Sequence, residues 1–151
     1  MFKIIFLLFF IFTSFIGCGY QPLYLNDKDF DFSITSIKFT GNNEINKFIE
    51  KELDKYDGGK GEALEIIINS SFNKNPIIKD KKGNVTNYEL IASINLEVKK
   101  DNIIKNISFN ESLKIEKNND NFEQVKYEAK IRKNLYHNLT ERIVFFIKNN
   151  K

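Results

Sequence analysis

Tryptophan is missing from this chain, and cysteine, histidine and methionine occur once each, with two prolines, in 151 residues. One cysteine excludes an internal disulfide framework. One cysteine and one histidine together exclude a Cys/His zinc site, and a single imidazole leaves little material for histidine-based catalysis. No repeat with a period of about 20–50 residues is present, which removes solenoids and propellers. Arginine is almost absent, 2 against 21 lysines, and valine is scarce, 4 against 22 isoleucines, beside 20 asparagines. That skew reads as genome composition bias rather than function. What is present is ordinary globular material: 42% hydrophobic and 28% charged residues, too apolar for a disordered chain. The length suits one domain.

The N-terminus reads MFKIIFLLFFIFTSFIGC, with Lys3 ahead of an apolar run over residues 4–16 broken only by Thr13 and Ser14. Such a run makes about 20 Å of helix, short of the roughly 30 Å hydrocarbon core. A charged start, a short apolar middle and a small residue near the cut site are the anatomy of a secretory signal. Phe15-Ile16-Gly17-Cys18 resembles the bacterial lipobox, in which the cysteine is acylated and becomes the new N-terminus. A lone Cys is often a buried thiol, but Cys18 directly follows the apolar run, where no folded core would include it. Residues 1–17 are therefore expected to be a lipoprotein signal peptide, 18–30 a lipidated tether and 31–151 a single domain. Gly19, rather than Asp, after the cysteine favours the outer membrane. Removing residues 1–17 leaves a formal charge of +2, since Lys3 is the one charge lost from the +3 total. No basic stripe for nucleic acid follows from that, and none is expected at an exported location.

Within the domain, residues 31–40 alternate and are β-branched and aromatic, which predicts a strand. The apolar parity changes between Ile34 and Ile37, predicting a bulge near Thr35-Ser36. Gly41-Asn42-Asn43 breaks the strand and can cap a helix. Ile45, Phe48, Ile49, Leu53 and Tyr56 then form one helical stripe, which residues 57–61 (DGGKG) end. Residues 63–72 predict a strand facing inward through Leu64, Ile66 and Ile68. Pro76 and residues 79–84 mark a turn or a poorly ordered loop. Residues 88–98 alternate strictly, with Tyr88, Leu90, Ala92, Ile94, Leu96 and Val98 on one face. After a hairpin-type turn at 99–102, Ile107, Phe109, Leu113 and Ile115 continue the pattern, with Glu111 the one polar residue on that side. A long helix to about Lys148 carries Tyr127, Ile131, Leu135, Leu139, Ile143 and Ile147, with Asp120 or Asn121 as its cap. The order β-α-β-β-β-α predicts an α+β two-layer sandwich, two helices packed on one face of a four-stranded, mostly antiparallel sheet.

Candidate chemistry is thin. His137 has Glu141 four residues on, which fits a helix-surface pair better than a catalytic base lacking a nucleophile. Gly58-Gly59-Lys60-Gly61 follows a helix and lacks phosphate-loop spacing, so a helix stop explains it. No residue set calls for a cofactor or a metal, and no G-x-S-x-G nucleophile motif supports a hydrolase. Lys79, Lys81 and Lys82 cluster on one loop and suit anionic groups such as phosphorylated lipid sugars. In a chain with 21 lysines, a solvated loop is the commoner explanation. Ile67, Ile91 and Ile104 should lie off the helix-packed face, where apolar patches can mark a partner surface.

The segment Cys18-Gly19-Tyr20-Gln21-Pro22-Leu23-Tyr24 resembles the start of the mature LPS-assembly lipoprotein LptE family, in its alphaproteobacterial form. The Lys82-Gly83-Asn84 turn leading into Tyr88-Glu89-Leu90 and the final helix with Tyr127, Arg132, Leu135, Leu139 and Ile143 are similar to that family's pattern. The resemblance implies a non-catalytic lipoprotein, held in the outer membrane by its acylated cysteine. Such a protein plugs and helps assemble the LPS-export β-barrel LptD and contacts lipopolysaccharide in transit, with Lys81 and Lys82 near the turn concerned. An auxiliary lipoprotein of an envelope lipid transporter is the competing expectation, and partner identity separates the two.

Overall fold

The computed structural model describes residues 32–56 and 61–149. Cys18, the tether and residues 57–60 of the expected helix stop lie outside the described residues. The first strand, β1 (Phe32–Gly41), is followed by helix α1 (Asn43–Leu53) and a 3-10 turn, Asp54–Tyr56. Three strands come next, β2 (Glu62–Lys79), β3 (Val85–Lys100) and β4 (Ile103–Glu116), and then the long helix α2 (Asn121–Asn149). The element order is the expected β-α-β-β-β-α.

The sheet order is β1-β2-β3-β4. β1 and β2 are parallel, as α1 crosses between them, while β2–β3 and β3–β4 are antiparallel. The register of β1 on β2 shifts between Ile34 and Ser36, which places the bulge at Thr35. The parity change demanded it: Ile34 and Ile37 can face the same side only if one residue is extra.

Both helix starts are built by short polar side chains. Asn42 Oδ1 accepts from the backbone N–H groups of Glu44 and Ile45, each at 3.0 Å. Asp120 Oδ1 accepts from Phe122 at 2.8 Å and Glu123 at 3.2 Å. Each satisfies amides that the first helical turn leaves open. At the other end of α1, Tyr56 lies on the 3-10 turn rather than the helix and stacks on Phe32 with ring centroids 5.9 Å apart.

The core lies between the helices and one sheet face. Leu64, Ile66 and Ile68 of β2 and Leu90, Ala92, Ile94, Leu96 and Val98 of β3 are buried there, against Ile45, Ile49 and Leu53 of α1 and Leu135, Leu139, Ile143 and Ile147 of α2. Phe48 of α1 and Phe72 of β2 both meet the Tyr136 ring edge-to-face. Tyr136 itself is buried, its hydroxyl makes no well-formed hydrogen bond among the described residues, and burial, then the charge of the nearby Glu44 carboxylate, pushes its pKa upward.

Two expected core positions are corrected. Tyr127 and Leu113 are 46% and 42% exposed. The reason is the path of α2 across the sheet. Near its start, Glu128 pairs with Lys74 of β2; further on, Arg142 pairs with Glu111 of β4. Lys74, Leu90 and Leu113 share one level of the sheet. At that level the helix stands over β2, so Leu113 on β4 and Tyr127 on the helix are only partly covered.

Candidate functional site

β2 does not end near Phe72 but continues to Lys79, paired with β3 throughout. The extension is possible because β1 stops at Gly41, opposite Ser70. Beyond that point β2 has a single neighbour, so Pro76 costs no ladder bond on its far side. Register shifts on either side of Ile78 absorb the irregularity. The nine residues 71–79 span about 30 Å, giving a hairpin arm whose outer part, beyond Lys74, leaves the helix-covered core behind.

The arm's tip is an ordered turn rather than a loose loop. Asp80 Oδ1 accepts from the backbone N–H of Lys82 at 2.8 Å and of Asn84 at 2.9 Å, and Asp80 Oδ2 accepts from Asn84 Nδ2 at 3.1 Å. The Asp80 amide donates to the Asn84 carbonyl, and Gly83 closes the turn in the left-handed region at φ +84°. The Asn84 side-chain bond, followed by the amides, holds the Asp80 carboxyl below its ordinary value of 3.8. Lys79, Lys81 and Lys82 therefore stay together on one rigid turn, all exposed. Below them Ile77 and Ile78 are 38% and 51% exposed. The tip thus offers three cations above two uncovered aliphatic side chains, a combination suited to an anionic amphiphile.

The base of the arm is fastened to α2. Lys74 Nζ lies 2.5 Å from Glu128 Oε1 and 4.2 Å from the centre of the Tyr88 ring. Gln124 Nε2 donates to the same Glu128 oxygen at 2.6 Å. Desolvation alone would raise the Glu128 pKa, but the bonds from Lys74 and Gln124 and the Lys74 and Arg132 charges outweigh it and set it below 4.5. Lys74 occupies an inward parity position after Leu64, Ile66, Ile68, Ser70 and Phe72. A cation interrupting that series signals an ion pair, a signal that a strand ending at Phe72 does not include.

No described helix covers the opposite sheet face. It presents Asn69, Ser71 and Asn73 of β2, Glu89, Ser93 and Asn95 of β3, and Asn106, Ser108, Asn110 and Ser112 of β4. Ser108 Oγ donates to Asn95 Oδ1 at 2.7 Å, and Ser112 Oγ to Glu89 Oε1 at 3.4 Å. Ile67, Ile91 and Ile104 lie on this face as expected, but they do not meet. Ile67 pairs with Glu97, whereas Ile91 pairs with Asn73, six residues further along β2, or about 20 Å. Ile104 is opposite Lys99. The face is a polar surface with isolated aliphatic residues, not an apolar patch. On α2, His137 Nε2 stands 3.4 Å from Glu141 Oε1 with both side chains more than half exposed, the helix-surface pair that its spacing favoured.

No described helix is long and apolar enough to cross a membrane. No protein-family model matches the sequence, and no curated protein matches it. Solved structures do. Rare lipoprotein B from Shewanella oneidensis is similar with a TM-score of 0.59 at 12% identity, over 76% of this chain and 94% of that one. An uncharacterized lipoprotein B from Nitrosomonas europaea is similar with a TM-score of 0.56 at 13% identity, over 80% of this chain and 86% of that one. At such identities what is shared is the fold: this α+β sandwich is an architecture that those lipoproteins also use.

Proposed function

We propose that this chain is a non-catalytic lipoprotein of the outer membrane, anchored through acylated Cys18, that fills and helps assemble the LPS-export β-barrel LptD. The observation that carries the reading is the uncovered sheet face. Asparagines, serines and a glutamate hydrogen-bond along it, and among the described residues no helix or apolar patch closes it. The interior of a membrane barrel is polar and hydrated, so a plug needs a folded body whose outward surface is polar on the side that meets the wall. The signal-like N-terminus, the Cys18–Tyr24 start and the fold shared with two proteins called lipoprotein B support the same reading. The hairpin tip adds a place for lipopolysaccharide: Lys79, Lys81 and Lys82 meet its phosphates, and Ile77 and Ile78 meet acyl chain.

The test is detergent co-purification of the tagged protein from cell envelopes, with mass spectrometry of what stays bound. A stoichiometric outer-membrane β-barrel of the LPS-export type is expected. Recovery of inner-membrane transporter subunits would replace the plug with an auxiliary transporter lipoprotein, and recovery of the chain alone would remove the partner from the proposal.

A further inference from the structure

The outward face of α2 changes character along its length. In residues 121–134, Phe122, Val125 and Ala129 form one line and Lys126, Lys130 and Lys133 the next, at the spacings that bring side chains together on a helix. Phe122 and Val125 are 73% and 63% exposed, and all three lysines are exposed. None of the three forms an ion pair with a described residue. The acids of this stretch leave them uncompensated: Glu128 is taken by Lys74, and Glu123 is the only other one. From Asn134 to Glu141 the exposed residues are Asn134, His137, Asn138 and Glu141, so the cations gather at the end of the helix nearest the arm. Helix stability does not ask for this arrangement. Lys126 and Lys130 stand four residues apart and Lys130 and Lys133 three, spacings at which like charges oppose a helix. Exposed apolar side chains beside such cations are instead the chemistry of a lipid-contacting helix face.

The stripe continues the surface of the arm. The Thr86 hydroxyl donates to the Ile78 carbonyl at 3.3 Å, and the Lys117 amide donates to the Thr86 carbonyl at 2.7 Å. The Asn118 amide then donates to Gln124 Oε1, so the first turn of α2 is tied step by step to the level of Ile78. Lys79, Lys81 and Lys82 lie just beyond that level. From the tip to the helix the surface therefore runs cations, then Ile77, Ile78, Phe122 and Val125, then cations again. We infer that the outward face of α2 from Phe122 to Lys133 is the second half of the amphiphile site, and that the whole site takes an acylated lipid with phosphates at both ends of its headgroup. Each group of lysines meets one phosphate, and the apolar side chains between them meet acyl chain. A lipid with a single phosphate would leave one group of lysines unanswered. The inference rests on the role given to the tip in the proposed function, and it adds the helix face and the two-phosphate requirement.

The test is photo-cross-linking of the full chain in living cells, with p-benzoylphenylalanine in place of Phe122, Val125 or Ile78, and of Ser93 on the open sheet face as control. Adducts are identified by mass spectrometry. Lipopolysaccharide, which carries phosphates and several acyl chains, is expected at Phe122, Val125 and Ile78 and not at Ser93. Replacing Lys126, Lys130 and Lys133 together by glutamine should weaken the Phe122 adduct by about tenfold or more. The same replacement should leave the thermal unfolding midpoint in place or raise it, because it removes like-charge neighbours. A lipopolysaccharide adduct at Ile78 with none at Phe122 or Val125 would overturn the inference and leave the tip's role standing. No such adduct at any of the three would overturn both. Adducts of Phe122 with glycerophospholipid or with protein alone would overturn the inference, the first by making the face a bilayer contact and the second a protein contact. An undiminished Phe122 adduct in the triple variant, or an equal one at Ser93, would also overturn it.

Discussion

Gly41 closes β1 at the point where the chain turns into α1, and its replacement by alanine should be the most damaging small change in the protein. A Cβ at this position would lie 1.9 Å from the Ser70 carbonyl oxygen and 2.9 Å from its carbon. Those are backbone atoms of the neighbouring strand, so no side chain can swing aside. The same carbonyl accepts the Asn42 amide at 3.0 Å, and Ser70 Oγ donates to the Asn46 Oδ1 at 2.6 Å inside a buried polar cluster. Relief of the clash must stretch both. The left-handed torsion, φ +90°, costs about 1 kcal/mol for a residue with a Cβ. Overpacking costs about 1–3 kcal/mol and a weakened buried hydrogen bond about 1 kcal/mol, so the sum is about 3–5 kcal/mol. Gly83→Ala supplies the control. It shares the torsion, φ +84°, but has no atom within 4 Å of the added Cβ, so only the torsional cost of about 1 kcal/mol remains. Urea unfolding followed by circular dichroism reads both. At this chain length about 4 kcal/mol lowers Tm by about 8–16 °C. Equal losses from the two substitutions would refute the reasoning, because they would mean that the close approach to Ser70 contributes nothing.

Glu128→Gln should cost about 1 kcal/mol at neutral pH, the Lys74 partner being partly solvated. Because the folded pKa of Glu128 is depressed, its contribution is complete above the unfolded value of 4.5 and is lost as pH falls through the folded one. The gap between wild type and variant should close on acidification below 4.5, and a gap that persists at low pH would count against the ion pair. Tyr136→Phe removes a buried hydroxyl that lies near the Glu44 carboxylate but makes no well-formed hydrogen bond among the described residues. It should leave stability unchanged or raise it by up to about 1 kcal/mol, whereas a clear loss in thermal unfolding would reveal a hydrogen bond. Replacing Lys79, Lys81 and Lys82 together by alanine should shift stability by no more than about 0.5 kcal/mol while weakening co-sedimentation with lipopolysaccharide. Unchanged co-sedimentation would remove the turn from the proposed contact.

What the sequence discloses about this fold is orientation. Strict alternation from Tyr88 to Val98 says which side chains share a face, and Leu90, Ala92, Ile94 and Leu96 are buried together as that parity requires. The bulge at Thr35 and the caps Asn42 and Asp120 are equally local, each following from a residue's own parity or hydrogen-bonding reach. Extent is another matter. Periodicity assigns Leu113 and Tyr127 to the inner side correctly, but whether an inner side chain is covered depends on which strand α2 stands over at that level. That is set by long-range pairs such as Lys74–Glu128 and Arg142–Glu111. The hairpin arm was hidden for a related reason. Once β1 ends, β2 needs no apolar alternation to stay paired, so residues 73–79 carry Pro76 and lysines and read as loop. The hairpin tip falls in that gap. The arm lies where a strand continues past its cover, and there the residues answer to a partner outside the core rather than to packing within it.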